Sequence, residues 1–85
     1  MDELKVFKAL SDPTRIKILE LVKDKEKCIC EIIPVTEKSQ PNVSQHLRVL
    51  RNAKLITQHK KGTNIWITVA NHQIYSIIQD IREMS

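Results

Sequence analysis

The only glycine of this 85-residue chain, Gly62, lies between two segments that are rich in β-branched residues. The segments are residues 55–59 and 65–69, and a glycine-containing connection between two such segments is typical of a β-hairpin. In most of the remaining chain, apolar residues recur at intervals of three or four, which is the spacing of amphipathic helices. The chain is therefore predicted to be mainly α-helical with one small β-hairpin, whose turn covers residues 60–64.

Two helices are predicted in the amino-terminal part of the chain. The first covers residues 2–10, where apolar residues are three apart. Ser11 or Asp12 can cap the second helix, because a short polar side chain accepts a hydrogen bond from the free N–H groups of a first turn. Pro13 suits that turn because its missing N–H has no partner there. The second helix is predicted to stop around Asp24.

The third and fourth helices are predicted to follow one another across a short turn. Residues 28–33 have isoleucines at helical spacing and form a short third helix that ends near Pro34. The fourth helix is capped by Ser39 or Gln40 and runs to about Ala53. Its buried stripe is predicted to consist of Val43, Leu47 and Leu50.

A fifth helix is predicted after the hairpin, with Asn71 as its cap. Its apolar stripe has no obvious partner inside so small a core, and a domain of this size gains from oligomerisation. The order of four helices, two strands and a helix describes a single winged helix-turn-helix domain over residues 1–85. The stripe of the last helix consists of Ile74, Ile77, Ile78 and Ile81.

The positive charge of the chain is concentrated in one region. Residues 38–79 contain no Asp or Glu and carry a net charge of +6, whereas the whole chain carries +4. Basic groups gathered on one surface favour binding to backbone phosphates, because neutralised phosphates release condensed counterions. Since the chain has only three aromatic residues on which single-stranded bases could stack, duplex DNA is the favoured nucleic acid. The alternatives are a solvated basic face and a winged-helix interaction module that meets an acidic protein.

The polar face of the fourth helix has the composition of a DNA-reading surface. Gln and Asn side chains can pair with the adenine edge in the major groove, and a helix N-terminus attracts phosphate. His46 lies at the edge of the buried stripe and is predicted to be packed and hydrogen-bonded, while His59 and His72 are predicted to be inert. The side chains predicted to point toward DNA are Gln40, Asn42, Ser44, Gln45 and Arg48.

Several other classes of protein are excluded by the sequence. No apolar run exceeds three residues, which excludes a signal peptide and a membrane span and predicts a soluble, cytoplasmic protein. There is no nucleophile beside a base, catalytic metal cluster or phosphate-binding glycine loop, so an enzyme is not expected. Cys28 and Cys30 are too close to form a disulfide framework and are predicted to be thiols in a reducing compartment.

Four segments together resemble the ArsR/SmtB family of metal-responsive repressors over nearly the whole chain. They are FKALSDPTRIKILELV, CICEI, SQPNVSQHLRVLRNAKLI and KKGTNIWITV. The resemblance implies a homodimeric repressor whose first and last helices form the dimer interface, with Leu4 and Phe7 beside the isoleucine stripe, on a two-fold operator. It also implies base contacts by Gln40, Ser44 and Gln45, and a wing that carries Lys60, Lys61 and Thr63.

Cys28 and Cys30 resemble the CxC motif of arsenic-sensing members of that family, which implies release from DNA by arsenite, antimonite or another thiophilic ion. Residues two apart in an ideal helix diverge by about 200°, so both sulfurs can face one ion only if the first turn is extended or unwinds. Arsenite takes three sulfurs, and this chain has only two cysteines. Four possibilities stay open: a small thiol as third ligand, a site that bridges subunits, a softer two-coordinate ion, or a redox switch.

The family's interfacial zinc site is not expected in this chain. Its ligand positions on the last helix correspond to Asn71, Gln73 and Met84, which are poor ligands for Zn²⁺. No cofactor is expected to be required for folding or DNA binding.

Overall fold

A computed structural model of the chain describes residues 2–85, in which the predicted elements occur in the predicted order with one strand added before the third helix. The strands form an antiparallel sheet in the order β1-β3-β2. The elements are α1 (Glu3–Ala9), α2 (Pro13–Leu21), β1 (Lys27–Cys28), α3 (Ile29–Thr36), α4 (Gln40–Asn52), β2 (Ile56–Lys61), β3 (Asn64–Val69) and α5 (Gln73–Met84).

The caps of α2 and α4 are the predicted ones. The Asp12 carboxylate accepts hydrogen bonds from the N–H groups of Thr14, at 2.7 Å, and Arg15, at 3.3 Å. The Ser39 hydroxyl accepts from the N–H of Asn42 at 3.3 Å. The end predicted for α2 was wrong, because the helix stops at Leu21 rather than near residue 24. After the buried cap residue Val22, residues 23–27 are all charged and offer no apolar side chain to hold another turn against the core.

The third helix differs from its prediction at both ends. It begins at Ile29, after Cys28, which is the extended N-cap residue with φ −69° and ψ 146°. It continues through Pro34 to Thr36, because a proline removes only one hydrogen bond and this helix is short and packed. Glu37 ends it in the left-handed conformation, with φ 58°.

The sheet has a third strand that the sequence pattern did not predict. In β1, Lys27 pairs with Ile67 and Cys28 pairs with Trp66. The predicted five-residue turn of the hairpin was also wrong: Lys61 pairs with Asn64, which leaves a two-residue loop. Gly62 occupies its first position with φ 61°, where a two-residue hairpin loop favours glycine.

The carboxyl end of α4 is closed by a Schellman motif. The N–H of Leu55 bonds to the carbonyl of Leu50 at 3.0 Å, and the N–H of Lys54 bonds to the carbonyl of Arg51 at 2.9 Å. Lys54 takes the left-handed position, with φ 61°, that glycine usually occupies. This turn redirects the chain from α4 into β2.

The last helix is partly built into the protomer's own core. Ile74 and Ile78 are 3% and 7% exposed, so the prediction that its stripe lacks an internal partner was wrong for these two residues. The hydroxyl of Tyr75 donates to the carbonyl of Leu19 in α2. The predicted cap is displaced by one residue: the N-cap position is His72, although the Asn71 side chain accepts the N–H of Gln73 at 3.0 Å. The central core residues include Ile18, Leu19, Ile32, Val43, Leu47, Leu50, Leu55 and Ile67.

Candidate nucleic-acid interface

The polar face of α4 is turned to solvent as the sequence predicts. Val43, Leu47 and Leu50 are at most 1% exposed and pack in the core, which fixes the rotation of the helix. The opposite face carries no acidic side chain, and its first turn begins next to the cap Ser39. The five side chains predicted to point toward DNA are all exposed, namely Gln40, Asn42, Ser44, Gln45 and Arg48.

Arg15 of α2 fixes the position of α4 relative to α1. Its guanidinium donates to the carbonyls of Ala9 and Lys8, at 2.8 and 3.0 Å, and lies 3.0 Å from Nδ1 of His46. Because arginine can only donate, Nδ1 of His46 must be the acceptor. The prediction of a packed, hydrogen-bonded His46 is therefore confirmed. At the other end of α4, Arg51 donates to Gln58 of β2 at 2.6 Å.

The wing consists of the two-residue loop and the adjacent ends of β2 and β3. Lys60, Lys61 and Thr63 are exposed on it. Lys61 is also held within the protein, because its ammonium forms an ion pair with Glu26 and lies 5.2 Å from the centre of the Trp66 ring.

Glu26 is a functional candidate that sequence reasoning missed, together with His59. Nε2 of His59 lies 3.0 Å from the second carboxylate oxygen of Glu26, a contact that the sequence did not predict, and that this histidine is inert stays a prediction. The hydrogen bond from Lys61 lowers the pKa of Glu26 despite some desolvation. Glu26 precedes His59 and Lys61 by more than thirty residues, and no local pattern indicates this contact.

The two cysteines lie at the junction of β1 and α3, and their sulfurs are within disulfide distance of each other. That they are thiols in a reducing compartment stays a prediction. Cys28 is extended and Cys30 is helical, and their Cα atoms are 5.1 Å apart. Cys28 is buried and Cys30 is exposed. The condition that the first turn must be extended for both sulfurs to face one ion is thus met by the fold itself.

The cysteine pair opens into a cleft of about 240 Å³ between α4 and the wing. Gln40, the first residue of α4, and Thr63, in the hairpin loop, both line it. An ion or oxidant that reacts with these sulfurs would therefore act beside both elements predicted to contact DNA.

No site for a hard or borderline metal ion accompanies the cysteine pair. Within residues 2–85, no group of three or more His, Cys, Asp or Glu side chains could hold a metal ion. At the positions of the family's zinc site, Gln73 and Met84 are exposed and Asn71 is half-buried beside the start of α5. A third cysteine thiolate has no source in the described part of this chain.

Apolar side chains of α1 and α5 remain exposed in the protomer. Leu4 and Phe7 are 74% and 62% exposed, and Ile77 and Ile81 are 40% and 52% exposed. Exposed apolar groups of this size on the two terminal helices are typical of an interaction surface. None of the helices in the described range is long and apolar enough to cross a membrane.

Comparison with known proteins decides the family of this chain. Residues 12–58, more than half of its length, match the model of the bacterial regulatory proteins of the arsR family. The chain belongs to the arsR family. It is a DNA-binding transcriptional repressor of the ArsR/SmtB type, which confirms the resemblance stated from its motifs and its winged helix-turn-helix fold.

The relatives of this arsR-family chain cover most of its length. The uncharacterized HTH-type transcriptional regulator MJ1325 of Methanocaldococcus jannaschii is 35% identical over 93% of this chain and 90% of its own length. The arsenical resistance operon repressor of Staphylococcus aureus is 33% identical over 89% of this chain and 73% of its own length. The chain spans only 56 to 66% of five other curated relatives.

A solved structure shares the fold closely. The homodimeric winged helix-turn-helix DNA-binding domain Mb0332 of Mycobacterium bovis, a possible ArsR-family regulator, superimposes with a TM-score of 0.84 at 23% identity. The match covers 94% of this chain and 77% of Mb0332. At that identity the likeness supports the fold of this arsR-family chain.

Proposed function

We propose that this chain is a homodimeric, cytoplasmic repressor that releases its operator when Cys28 and Cys30 bind a thiophilic metalloid or metal. The observation that carries the proposal is the cleft in which the cysteine pair, Gln40 and Thr63 meet. The arsenical resistance repressor of S. aureus, a relative over most of this chain, supports the class of inducer.

The reading of DNA is assigned to α4 and the wing. The exposed amides of Gln40, Asn42 and Gln45 can read base edges in the major groove, and the N-terminus of α4 favours a phosphate. The remaining contacts, which position the domain on the phosphate backbone and add to base reading, are assigned to Ser44, Arg48, Lys60, Lys61 and Thr63.

The dimer interface is assigned to α1 and α5. Leu4, Phe7, Ile77 and Ile81 supply exposed apolar area, while the buried Ile74 and Ile78 anchor α5 to its own protomer. The homodimeric M. bovis domain supports this assembly. A two-fold dimer would place its two reading helices on half-sites about 34 Å apart.

Ligation at Cys28 would reach the DNA-binding elements by two routes. Its sulfur accepts the N–H of Cys30 at 3.1 Å, and its N–H donates to Glu31 at 3.3 Å, so Cys28 caps α3, which packs against α4. Its backbone pairs with Trp66 in β3, which continues into the wing. An ion on this sulfur therefore alters the start of α3 and the edge of the sheet together, with a coupling of about 1–3 kcal/mol.

Only the reduced cysteine pair can bind such an ion. Two thiols condense with arsenious acid to form two As–S bonds and release two water molecules, whereas the disulfide has no free sulfur valence. Arsenic then keeps one hydroxide as its third ligand, or a small thiol or a sulfur of the partner subunit replaces that hydroxide. Antimonite has the same requirement.

A redox repressor is the second candidate, and the closeness of the Cys28 and Cys30 sulfurs is the observation that favours it. A peroxide would take two electrons and two protons from the thiols and leave the disulfide and two water molecules. The reversal needs a dithiol reductant. In this alternative the disulfide itself, rather than an ion, changes the start of α3 and the affinity for DNA.

Binding to duplexes at two salt concentrations tests the DNA-reading part of the proposal. Gln45→Ala is expected to cost about 1–3 kcal/mol at the cognate site and to relax sequence preference, because a base contact is lost. Lys60→Ala, the matched phosphate variant, is expected to weaken all duplexes alike and to lower the salt slope by about 1.

Equal losses for Gln45→Ala on cognate and random DNA would contradict the reading role of α4. Wild-type protein that binds no duplex at either salt concentration, but binds an acidic protein, would instead support a winged-helix interaction module.

A further inference from the structure

The wing carries a site with two donor groups for one anion, and a carboxylate of the protein itself already occupies this site. One carboxylate oxygen of Glu26 contacts the Lys61 ammonium, and the other lies 3.0 Å from Nε2 of His59. His59 and Lys61 are two apart in β2 and therefore point to the same face of the hairpin. Trp66 pairs with His59 across the sheet, and its ring lies below the ammonium.

This arrangement has the chemistry of a phosphate contact. A DNA phosphate presents two anionic oxygens to nearby donors, as the carboxylate of Glu26 does here, and a lysine and a histidine supply N–H donors for both. We propose that His59 and Lys61 form a phosphate-binding site, which Glu26 occupies in the free protein and a DNA backbone phosphate takes over in the complex.

Glu26 would then act as an internal competitor of DNA. Residues 38–79 contain no acid, and in the described part of the chain Glu26 is the acid that forms ion pairs with the hairpin. It lies in the turn before β1, with its side chain 30% exposed, so it can move aside without disturbing the core. Because the displaced contact is with the backbone, the competition lowers the affinity for cognate and random duplexes alike.

The inference rests on the proposed DNA binding and adds His59 and Glu26 to the residues that govern it. Lys60, the neighbouring wing lysine, forms no ion pair within residues 2–85. The chain therefore contains a competed and a free lysine side by side, and the two can be compared directly.

The test is Glu26→Gln, which keeps the size of the side chain and removes its charge. We expect the variant to bind cognate and random duplexes about threefold to tenfold more tightly at low salt, with a salt slope steeper by up to about 1. Its melting temperature should stay within a few degrees of the wild type, because the contact is partly exposed.

Two controls separate the proposed contact from a general effect of charge. Asp24→Asn removes one negative charge from the same exposed turn, where Asp24 forms no ion pair in the described chain, and should change affinity less than twofold. Glu26→Gln should keep its full gain when combined with Lys60→Ala and lose most of it when combined with Lys61→Ala.

The outcomes are distinct. An unchanged or weaker affinity of Glu26→Gln overturns the inference, as does an equal gain with Asp24→Asn or an undiminished gain in the Lys61→Ala background. Wild-type protein that binds no duplex under any condition removes the proposed DNA reading itself. Wild-type protein that binds DNA while Glu26→Gln behaves like it removes only the role of Glu26.

Discussion

Single side chains fix the start of α2 and its attachment to the reading helix. Asp12 caps α2 through two backbone N–H groups, and Arg15, in the first turn, reaches both the end of α1 and His46. Through these contacts, the first turn of α2 connects α1, which is assigned to dimerisation, with α4, which is assigned to DNA binding. A substitution of Asp12 should therefore destabilise the whole domain.

Asp12→Ala is expected to lower the free energy of unfolding by about 1 kcal/mol at pH 7. Burial alone would raise the pKa of Asp12, but the N–H groups of Thr14 and Arg15 outweigh it and leave the pKa lowered. A carboxylate with a lowered folded pKa stabilises fully above its unfolded pKa, about 3.9, and loses this contribution as the pH falls through the folded value. Urea unfolding at pH 7 and pH 3 measures this, and an equal difference at both pH values would contradict it.

Predictions about single side chains were correct where the orientation of the side chain depends on one helix alone. The outward face of α4 and the packed His46 follow from the helical spacing of Val43, Leu47 and Leu50, because burying that stripe fixes the rotation of every other side chain. The contacts of Glu26 with the wing and the closeness of the two cysteine sulfurs depend on β1, which holds two residues and has no periodicity to detect.

At the scale of elements, every predicted helix and strand occurs, and the departures from expectation are the added strand β1, several helix ends and the hairpin loop. The hairpin loop is shorter than predicted because β2 and β3 pair up to the residues that flank Gly62 and Thr63. Composition alone does not predict where the strands end and the loop begins. Lysines and asparagine are common in turns, yet here they take part in the pairing of β2 with β3. The helices themselves follow from their spacing and caps.

The turn from α4 to β2 gives an element-scale prediction. Lys54→Gly is expected to raise the free energy of unfolding by about 0.5–1 kcal/mol, because glycine adopts φ 61° without the cost that a Cβ brings. Lys54→Ala is the matched control, since it removes the same charge and leaves that cost in place. Denaturant unfolding of both variants decides the point, and an equal change in the two would show that charge rather than backbone strain is responsible.

At the scale of the whole molecule, half of the isoleucine stripe of α5 completes the core and half is left exposed. The sequence predicts the stripe but not this division, which depends on how α5 packs against α2 through Tyr75 and Leu19. Ile77 and Ile81 remain exposed to solvent, as do the apolar residues of α1. Both groups are assigned to the dimer interface.

Ile81→Asp is expected to convert a dimer into a weakly DNA-binding monomer, because it places an unpaired charge in an apolar interface. Gln79→Asp is the matched control on the same helix, since Gln79 is exposed and polar, and it should remain dimeric. Sedimentation velocity at micromolar concentration measures both. A monomeric wild type would contradict the interface and the two-fold operator together.

The most direct test of the proposed function is the operator affinity of the reduced dimer with and without arsenite, in parallel with a Cys28→Ser, Cys30→Ser double variant. Serine keeps the size of the side chain and removes the thiolate that a soft ion requires. We expect arsenite to weaken wild-type binding by about fivefold to 150-fold, which corresponds to a coupling of about 1–3 kcal/mol, and to have no effect on the double variant, which should still bind DNA. Zinc should have a much smaller effect. An arsenite response that persists in the double variant, or a wild type that ignores arsenite and is released reversibly by peroxide, would contradict the metalloid-sensing account.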